Sequence, residues 1–369
     1  MNRRNFIKYG TVLAGGCGVC LLCKNHIGFF MKNQPDIKVQ IDTRPCRIPF
    51  ECFEIQQNGN VNSCCIDYLK NKTPVGNIEK QDFDEIWNGK MLTDLRQKVL
   101  NGDYSMCNRD ICCIYEPYVE GEKIFDYKKG PKEVKVSYDF ECNYNCIICR
   151  DVIKINTPEE MELYDKVYLP KVIEASKNAE VVNLLGSGDP LFSRHARLLM
   201  KELIKTYPKI KFNLFTNGLL LDEKNLTELG IQDNIHGLSV SVDAVKSETY
   251  KKILRADGFD TVVKNLEVMS EWKKEGKINF ITLNFVVSLF NYKEMTEFAK
   301  FAQKLDCEAF FSGYRPWESA ELHKKYNEVA VFEPTNKHYK EFVKILKNPV
   351  FKDKKHCTFE QRLFDIVYS

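Results

Sequence analysis

Short apolar runs alternate with amphipathic stretches over residues 133–314. The runs predict six strands, at 134–140, 181–185, 210–215, 238–242, 278–287 and 309–311. Apolar residues at helical spacing predict helices between them, at 159–177, 194–206, 261–274 and 293–305. Strands that alternate with helices form parallel sheets, and ligands then bind at the carboxyl ends of the strands. The pattern therefore predicts an α/β core whose functional residues follow its strands.

The chain on either side of this core has a different pattern. An apolar run, the turn dipeptide Asn58-Gly59 and a second run from Val61 predict a β-hairpin. Helical spacing of apolar residues predicts a helix from Asp82 to Leu100. We expect four regions: a leader-like segment at 1–30, a small α+β domain at 36–120, the core at 130–318 and a mostly helical tail at 319–369.

The leader-like segment begins with Arg3-Arg4 and continues into an apolar, glycine-rich run. This order is typical of a targeting segment, and it resembles a twin-arginine export signal. Two alternatives stay open: a basic, apolar terminus that lies on a surface, or upstream sequence with the true start at Met31. Membrane contact is expected only through this segment, if at all.

The amino-acid composition excludes several classes of protein. Of the 369 residues, 44% are hydrophobic, which excludes a disordered chain, and the net charge of +3 gives no electrostatic case for nucleic acid as the main partner. The chain has 15 cysteines, an odd number in a protein too long for a disulfide scaffold. Clustered cysteines in a long chain favour metal or iron–sulfur binding.

Three of these cysteines, Cys142, Cys146 and Cys149, form a C-x3-C-x2-C pattern directly after the first core strand. Three thiolates on one loop can hold three irons of a cubane cluster and leave the fourth iron open for a small chelating molecule. The alternative is a zinc site or a closed cluster with a distant fourth ligand.

Because they contain this motif directly after a strand, residues 133–315 resemble the radical S-adenosylmethionine (SAM) superfamily. The resemblance implies a partial (β/α)6 barrel, preceded here by a small α+β cluster-binding domain. It also implies a 4Fe-4S cluster that binds SAM and splits it to a 5′-deoxyadenosyl radical, which abstracts hydrogen from a substrate. No catalytic residue beyond the cluster ligands is assigned.

The resemblance further implies which residues contact SAM. The glycine-rich segment after the second strand would receive the SAM amino group, Asp243 the ribose hydroxyls and Arg255 the SAM carboxylate. Ile148 stands where the family often has an aromatic residue against adenine, and Asp189 stands where it usually has Glu. The full predicted set is Gly186, Ser187, Gly188, Asp189, Ser241, Asp243, Arg255 and Ile148.

A second motif precedes the core. Cys46, Gly59 and Cys64 match the opening of the SPASM extension of radical SAM enzymes, which holds auxiliary iron–sulfur clusters. Cys107 and Cys112 would complete a four-thiolate set for one auxiliary cluster, although Cys113 competes with Cys112 as the last ligand. A zinc site with the same thiolates is the alternative. Cys52, Cys65 and Cys307 are predicted to pack.

The last thirteen residues, from Cys357, align with the segment that begins at Cys46. We therefore expect the tail to end in a partial second SPASM-like motif; the alternative is chance agreement.

The resemblance implies a flavodoxin- or ferredoxin-like electron donor, a peptide or small-molecule substrate and a cytoplasmic location. The twin-arginine-like start leaves export open. The rival function is a catalytically inactive or truncated iron–sulfur or electron-transfer protein.

Overall fold

The computed structural model describes residues 45–64, 69–108, 112, 125–185, 188–316 and 320–368. They group into two compact units. The first unit takes in the described chain up to Asp139, with Asn156–Ser187 and Leu198–Phe212. The second takes in Phe140–Ile155, Gly188–Arg197 and the chain from Asn213 onwards. This grouping differs from the boundaries drawn on the sequence, which stay predictions; the leader-like segment lies outside the described residues.

The first unit contains a five-stranded sheet in the order β3-β2-β1-β4-β5. Its strands are β1 (Cys52–Gln56), β2 (Asn60–Asn62), β3 (Gly76–Asn77), β4 (Glu133–Ser137) and β5 (Val181–Leu184). β1 and β2 form the predicted hairpin, with Glu54 opposite Asn62. The turn works because Asn58 and Gly59 have φ values of 60° and 69°, the left-handed conformation that Asn-Gly adopts readily. β1 also pairs in parallel with β4, which the sequence did not predict.

The helices of this unit are α1 (Ile48–Glu51), α2 (Phe83–Trp87), α3 (Lys90–Leu100), α4 (Pro158–Leu163) and α5 (Leu169–Ala175). A π-helical turn at Tyr164–Tyr168 joins α4 to α5. The single helix expected from Asp82 to Leu100 is wrong, because the chain breaks at Gly89. Gly89 is extended, with ψ of 154°, and a Cβ there would lie 2.5 Å from the Glu85 carbonyl oxygen.

Arg96 of α3 is buried inside this unit, where it is 1% exposed, and it contacts several of its segments. Its Nε donates to the Pro49 carbonyl oxygen at 2.9 Å and its Nη1 to the Trp87 carbonyl oxygen at 2.6 Å. The guanidinium carbon lies 4.1 Å from the Trp87 ring centre and 4.4 Å from that of Tyr127. Burial lowers the pKa of Arg96 to about 10. The group therefore stays charged at neutral pH and holds three segments around it.

The second unit contains strands in the order β6-β7-β8-β9-β10. They are β6 (Lys211–Thr216), β7 (Ile235–Ser241), β8 (Phe280–Val287), β9 (Glu308–Gly313) and β10 (Cys357–Phe359). The pairs β7–β8, β8–β9 and β9–β10 are all parallel. The six predicted strands correspond to β4 to β9, so the predicted parallel α/β architecture is confirmed. β10 is an addition from the tail.

The later helices are α6 (Arg194–Thr206), α7 (Glu223–Leu229), α8 (Ser247–Leu254), α9 (Phe259–Lys274), α10 (Met295–Lys304), α11 (Ala320–Lys324), α12 (Tyr326–Val329), α13 (Tyr339–Leu346) and α14 (Gln361–Tyr368). α6 and β6 have residues in both units. No helix within the described ranges combines the length and apolar character that crossing a membrane requires.

Cys357 and Cys46 begin segments with different structures. Cys46 is followed by α1 and then strand β1, whereas Cys357 is the first residue of β10 and is followed by helix α14. Cys357 is 2% exposed, and burial raises its pKa to about 12. These features are those of a packing cysteine. The partial second motif stays a prediction, and the structure adds nothing in its favour.

Candidate functional site

The cysteine motif lies on a loop of the second unit that closes on itself through its backbone. The amide of Cys142 donates to the carbonyl oxygen of Lys154 at 3.0 Å, and the amide of Cys149 donates to that of Cys146 at 2.8 Å. The amide of Ile147 donates to the Ile253 carbonyl oxygen at 2.8 Å, near the end of α8. The loop is therefore anchored at its ends and in its middle. We call residues 140–155 the cluster loop.

The three thiols of this loop are partly buried and close enough for charge on one to affect the others. Burial raises the pKa of Cys142 to about 11. Burial also raises the pKa of Cys146, and the neighbouring Cys149 and Cys142 raise it further. Burial thus disfavours the thiolates of Cys142 and Cys146, and bound iron would stabilise them.

No three His, Cys, Asp or Glu side chains of the described chain converge on a single metal ion. A cubane cluster requires no such convergence, because each thiolate binds a different iron atom. Three partly buried thiols on one anchored loop are a donor set that fits a cluster with one open iron.

Gly188 packs directly against the start of the cluster loop. A Cβ at this position would lie 2.3 Å from the Glu141 carbonyl oxygen and 2.7 Å from the Phe140 carbonyl carbon. Both contacts are with backbone, which cannot swing aside, so a glycine is required for the close approach. The predicted neighbours Gly186 and Ser187 lie outside the described residues.

Asp189 is 3% exposed and its carboxylate is engaged within the protein. Oδ2 accepts hydrogen bonds from Thr216 Oγ1 and from the Asn217 amide, both at 2.8 Å, and Oδ1 accepts one from the Leu191 amide at 3.0 Å. Burial raises its pKa. The carboxylate thus joins the glycine-rich segment to the end of β6, and a SAM contact by the same carboxylate stays a prediction.

A pair of side-chain amides to which no sequence motif assigned a role extends this network to the cysteine motif. Asn217 Nδ2 donates to Asn143 Oδ1 at 2.8 Å, and Asn143 lies between Cys142 and Cys146. The available signal was the Thr216-Asn217-Gly218 turn at a strand end, where ligand-binding residues collect in parallel sheets.

Asp243, just after β7, is 3% exposed and has a φ of 61°. Its Oδ1 accepts a hydrogen bond from the Val286 amide at 2.6 Å, whereas Oδ2 has no hydrogen-bond partner among the described residues. Burial raises the pKa of Asp243 to about 7. Asn291, to which no sequence motif assigned a role, donates from Nδ2 to the carbonyl oxygens of Asp243 and Val286, each at 2.9 Å. The geometry leaves one carboxylate oxygen for a ligand.

The other predicted SAM contacts belong to the same unit. Arg255 directly follows α8 and is exposed, and its Nη1 lies 3.4 Å from the Asp151 carbonyl oxygen of the cluster loop. Ile148 lies within the loop and is 7% exposed. Ser241 ends β7, is partly buried and pairs in register with Asn284. Their roles stay predictions.

In the first unit, the predicted auxiliary ligands Cys46, Cys64, Cys107 and Cys112 are all partly buried. Tyr104 connects two of them. Its hydroxyl accepts a hydrogen bond from the Cys46 amide at 3.1 Å, and its carbonyl oxygen accepts one from the Cys107 amide at 2.8 Å. Cys113 lies outside the described residues, so the choice between it and Cys112 stays open.

Comparison with known proteins gives two matches to family models. Residues 46–121 match the SPASM iron–sulfur cluster-binding domain, and residues 140–302 match the radical SAM superfamily.

Curated relatives match over part of their length. A GTP 3′,8-cyclase from Synechocystis sp. is 27% identical over 186 residues, which cover 50% of this chain and 54% of the relative. The FeMo cofactor biosynthesis protein NifB from Methanocaldococcus jannaschii is 31% identical over 157 residues, which cover 38% of this chain and 49% of the relative. The chain thus spans about half the length of the curated relatives it matches.

Among solved structures, that of TYW1 with a lysine-pyruvate adduct bound covers 57% of this chain and 70% of its own, at 16% identity and a TM-score of 0.35. The two matched models follow one another in the order that the cysteine motifs predicted. The chain therefore carries a radical SAM domain, with a SPASM domain in front of it.

Proposed function

We propose that this chain is a radical SAM enzyme that cleaves SAM reductively and abstracts hydrogen from a small-molecule substrate. The observation that carries the proposal is the anchored cluster loop, which contains the three thiols and whose first residues approach Gly188 closely. The two domains imply a SAM-binding 4Fe-4S cluster, SAM and an auxiliary iron–sulfur cluster, as the sequence resemblance implied.

The cluster would supply an electron to the bound sulfonium, and the protein's own residues would hold and orient the reactants. Cys142, Cys146 and Cys149 would bind three irons and leave the fourth for SAM. The open Oδ2 of Asp243 suits a ribose hydroxyl as an acceptor. Arg255 is exposed beside the cluster loop, and its guanidinium would donate two parallel hydrogen bonds to the SAM carboxylate.

The substrate class follows from the relatives. The names of the curated relatives, a GTP 3′,8-cyclase and a FeMo cofactor biosynthesis protein, refer to small molecules. We therefore favour a small molecule over the peptide that the sequence resemblance also allowed. A flavodoxin- or ferredoxin-like donor would supply the electron, and the cytoplasm would supply both SAM and this donor.

An anaerobic assay tests the proposal. The full chain is reconstituted with iron and sulfide, reduced with dithionite and incubated with SAM, and 5′-deoxyadenosine is quantified. We expect this product, in an amount that depends on both SAM and reductant. A chain that binds its clusters and SAM but yields no deoxyadenosine would favour the electron-transfer alternative, and a colourless zinc protein would exclude both.

The SPASM domain leads to a separate prediction about Cys64. Replacing Cys64 by alanine removes one of four thiolates and should reduce the iron content by the auxiliary cluster alone, leaving the catalytic cluster loaded. Cys52→Ala is the matched control, because Cys52 is 2% exposed in β1 and is predicted to pack. Iron and sulfide analysis of both reconstituted variants would make the comparison. Equal iron in Cys64→Ala and wild type would remove Cys64 from the ligand set.

A further inference from the structure

Arg150 directly follows the last cysteine of the motif and is 5% exposed. Its Nε donates to Cys149 Sγ at 3.4 Å, and its Nη1 donates to the Phe140 carbonyl oxygen at 2.8 Å. The buried guanidinium therefore connects the start of the cluster loop to the sulfur of its third cysteine. None of the sequence motifs assigned a role to this residue.

The contact places a permanent positive charge beside a sulfur that is expected to bind iron. A guanidinium keeps its proton under all working conditions, and a buried charge is screened weakly by salt. Arg150 is thus placed to offset negative charge at this site.

Reduction transfers one electron to a cluster from an external reductant, with no bond made or broken. The reduced form carries one more negative charge, so a cation and an N–H···S hydrogen bond stabilise it more than the oxidised form. Removing either interaction lowers the reduction potential. The Phe140 carbonyl fixes the guanidinium in the position where it has this effect.

We propose that Arg150 is a positioning residue that raises the reduction potential of the catalytic cluster through its contact with Cys149 Sγ. The proposal rests on the proposed function of the three cysteines as cluster ligands. It adds a residue whose effect is on the potential and not on ligation.

The test is a potentiometric titration of the reconstituted full chain, monitored by electron paramagnetic resonance, with dithionite as the reductant. The catalytic cluster is identified as the signal that changes when SAM is added. We expect its midpoint potential to fall in Arg150→Gln, and to fall less in Arg150→Lys, which keeps the charge but cannot hold both contacts at once. Arg197→Gln is the control, because Arg197 donates to the Leu191 carbonyl and Asn225 and contacts no motif cysteine in the described structure.

The proposal is overturned if the midpoint potential of Arg150→Gln equals that of the wild type or lies above it. It is also overturned if the midpoint potential falls equally in Arg197→Gln, or if it falls as far in Arg150→Lys as in Arg150→Gln. If Arg150→Gln takes up no iron, the midpoint potential of Arg150→Lys is the deciding measurement. A lowered midpoint in that variant supports the proposal, and an unchanged one contradicts it. If neither variant binds iron, Arg150 is required for cluster assembly, and the proposal is overturned. Failure of the proposed function is distinguishable, since the wild type would then show no SAM-sensitive signal.

Discussion

Replacing Cys146 by alanine is expected to reduce 5′-deoxyadenosine formation to background. Cys146 is the central cysteine of the motif, and its carbonyl oxygen accepts a hydrogen bond from the amide of Cys149. Two remaining thiolates cannot hold a cluster that needs three protein ligands and an open iron. The iron content should fall by the catalytic cluster, while the SPASM domain keeps its own iron. Anaerobic reconstitution, iron analysis and quantification of deoxyadenosine measure these effects.

Cys307→Ala is the matched control for this variant. Cys307 is fully buried, its Sγ lies 3.4 Å from the Leu305 carbonyl oxygen, and burial raises its pKa to about 12. It is predicted to pack, so its loss should cost some stability and leave iron content and SAM cleavage unchanged. Wild-type SAM cleavage by Cys146→Ala, or loss of activity in Cys307→Ala alone, would refute the assignment of the catalytic cluster.

Replacing Gly188 by alanine is expected to reduce SAM cleavage by about 100-fold, since a displacement of about 1 Å at a reaction site can cost that much. The new methyl group would lie 2.3 Å from the Glu141 carbonyl oxygen, so either the glycine-rich segment or the start of the cluster loop must shift. Both are predicted parts of the SAM site. Iron uptake should change less than SAM affinity, because all three cysteines remain. SAM binding to the reconstituted variant, measured alongside deoxyadenosine formation, separates the two effects.

Gly276→Ala is the control for Gly188→Ala. Gly276 has a φ of 77°, and a Cβ there would meet no atom within 4 Å. The substitution should lower the free energy of unfolding by about 1 kcal/mol through backbone strain and leave SAM cleavage intact. If both variants lost SAM cleavage equally, general destabilisation would explain the result and the close approach at Gly188 would not.

The local pattern of the chain predicted its strands better than its helices. All six predicted strands are present, because β4 to β9 are buried and appear as short apolar runs. Helices α7 and α8 were not predicted, since seven or eight residues span about two turns and show little periodicity. The predicted helix from Asp82 to Leu100 failed at Gly89, which is extended and where a Cβ would lie 2.5 Å from the Glu85 carbonyl oxygen.

Some site residues were likewise predicted from the sequence, and others were not. The cysteine motif was evident from spacing alone, because the ligands of a cluster on one loop must be close in sequence. Thr216, Asn217 and Asn291 were not assigned, since their partners are distant: Asp189 is 27 residues from Thr216, and Asp243 is 48 residues from Asn291. Short polar side chains at turns are common, and only their contacts distinguish a positioning role from an ordinary turn.

The sequence by itself determined the parallel α/β class, the two cysteine motifs and the family, because periodicity and local spacing are properties of neighbouring residues. Tertiary structure alone decided that β1 joins β4, that the Asp189 carboxylate is occupied by Thr216 and Asn217, and that Arg150 contacts Cys149 Sγ. Each of these depends on the distance and direction between groups after the chain has folded. A residue's type limits which bonds it can form, and packing selects which of them it makes.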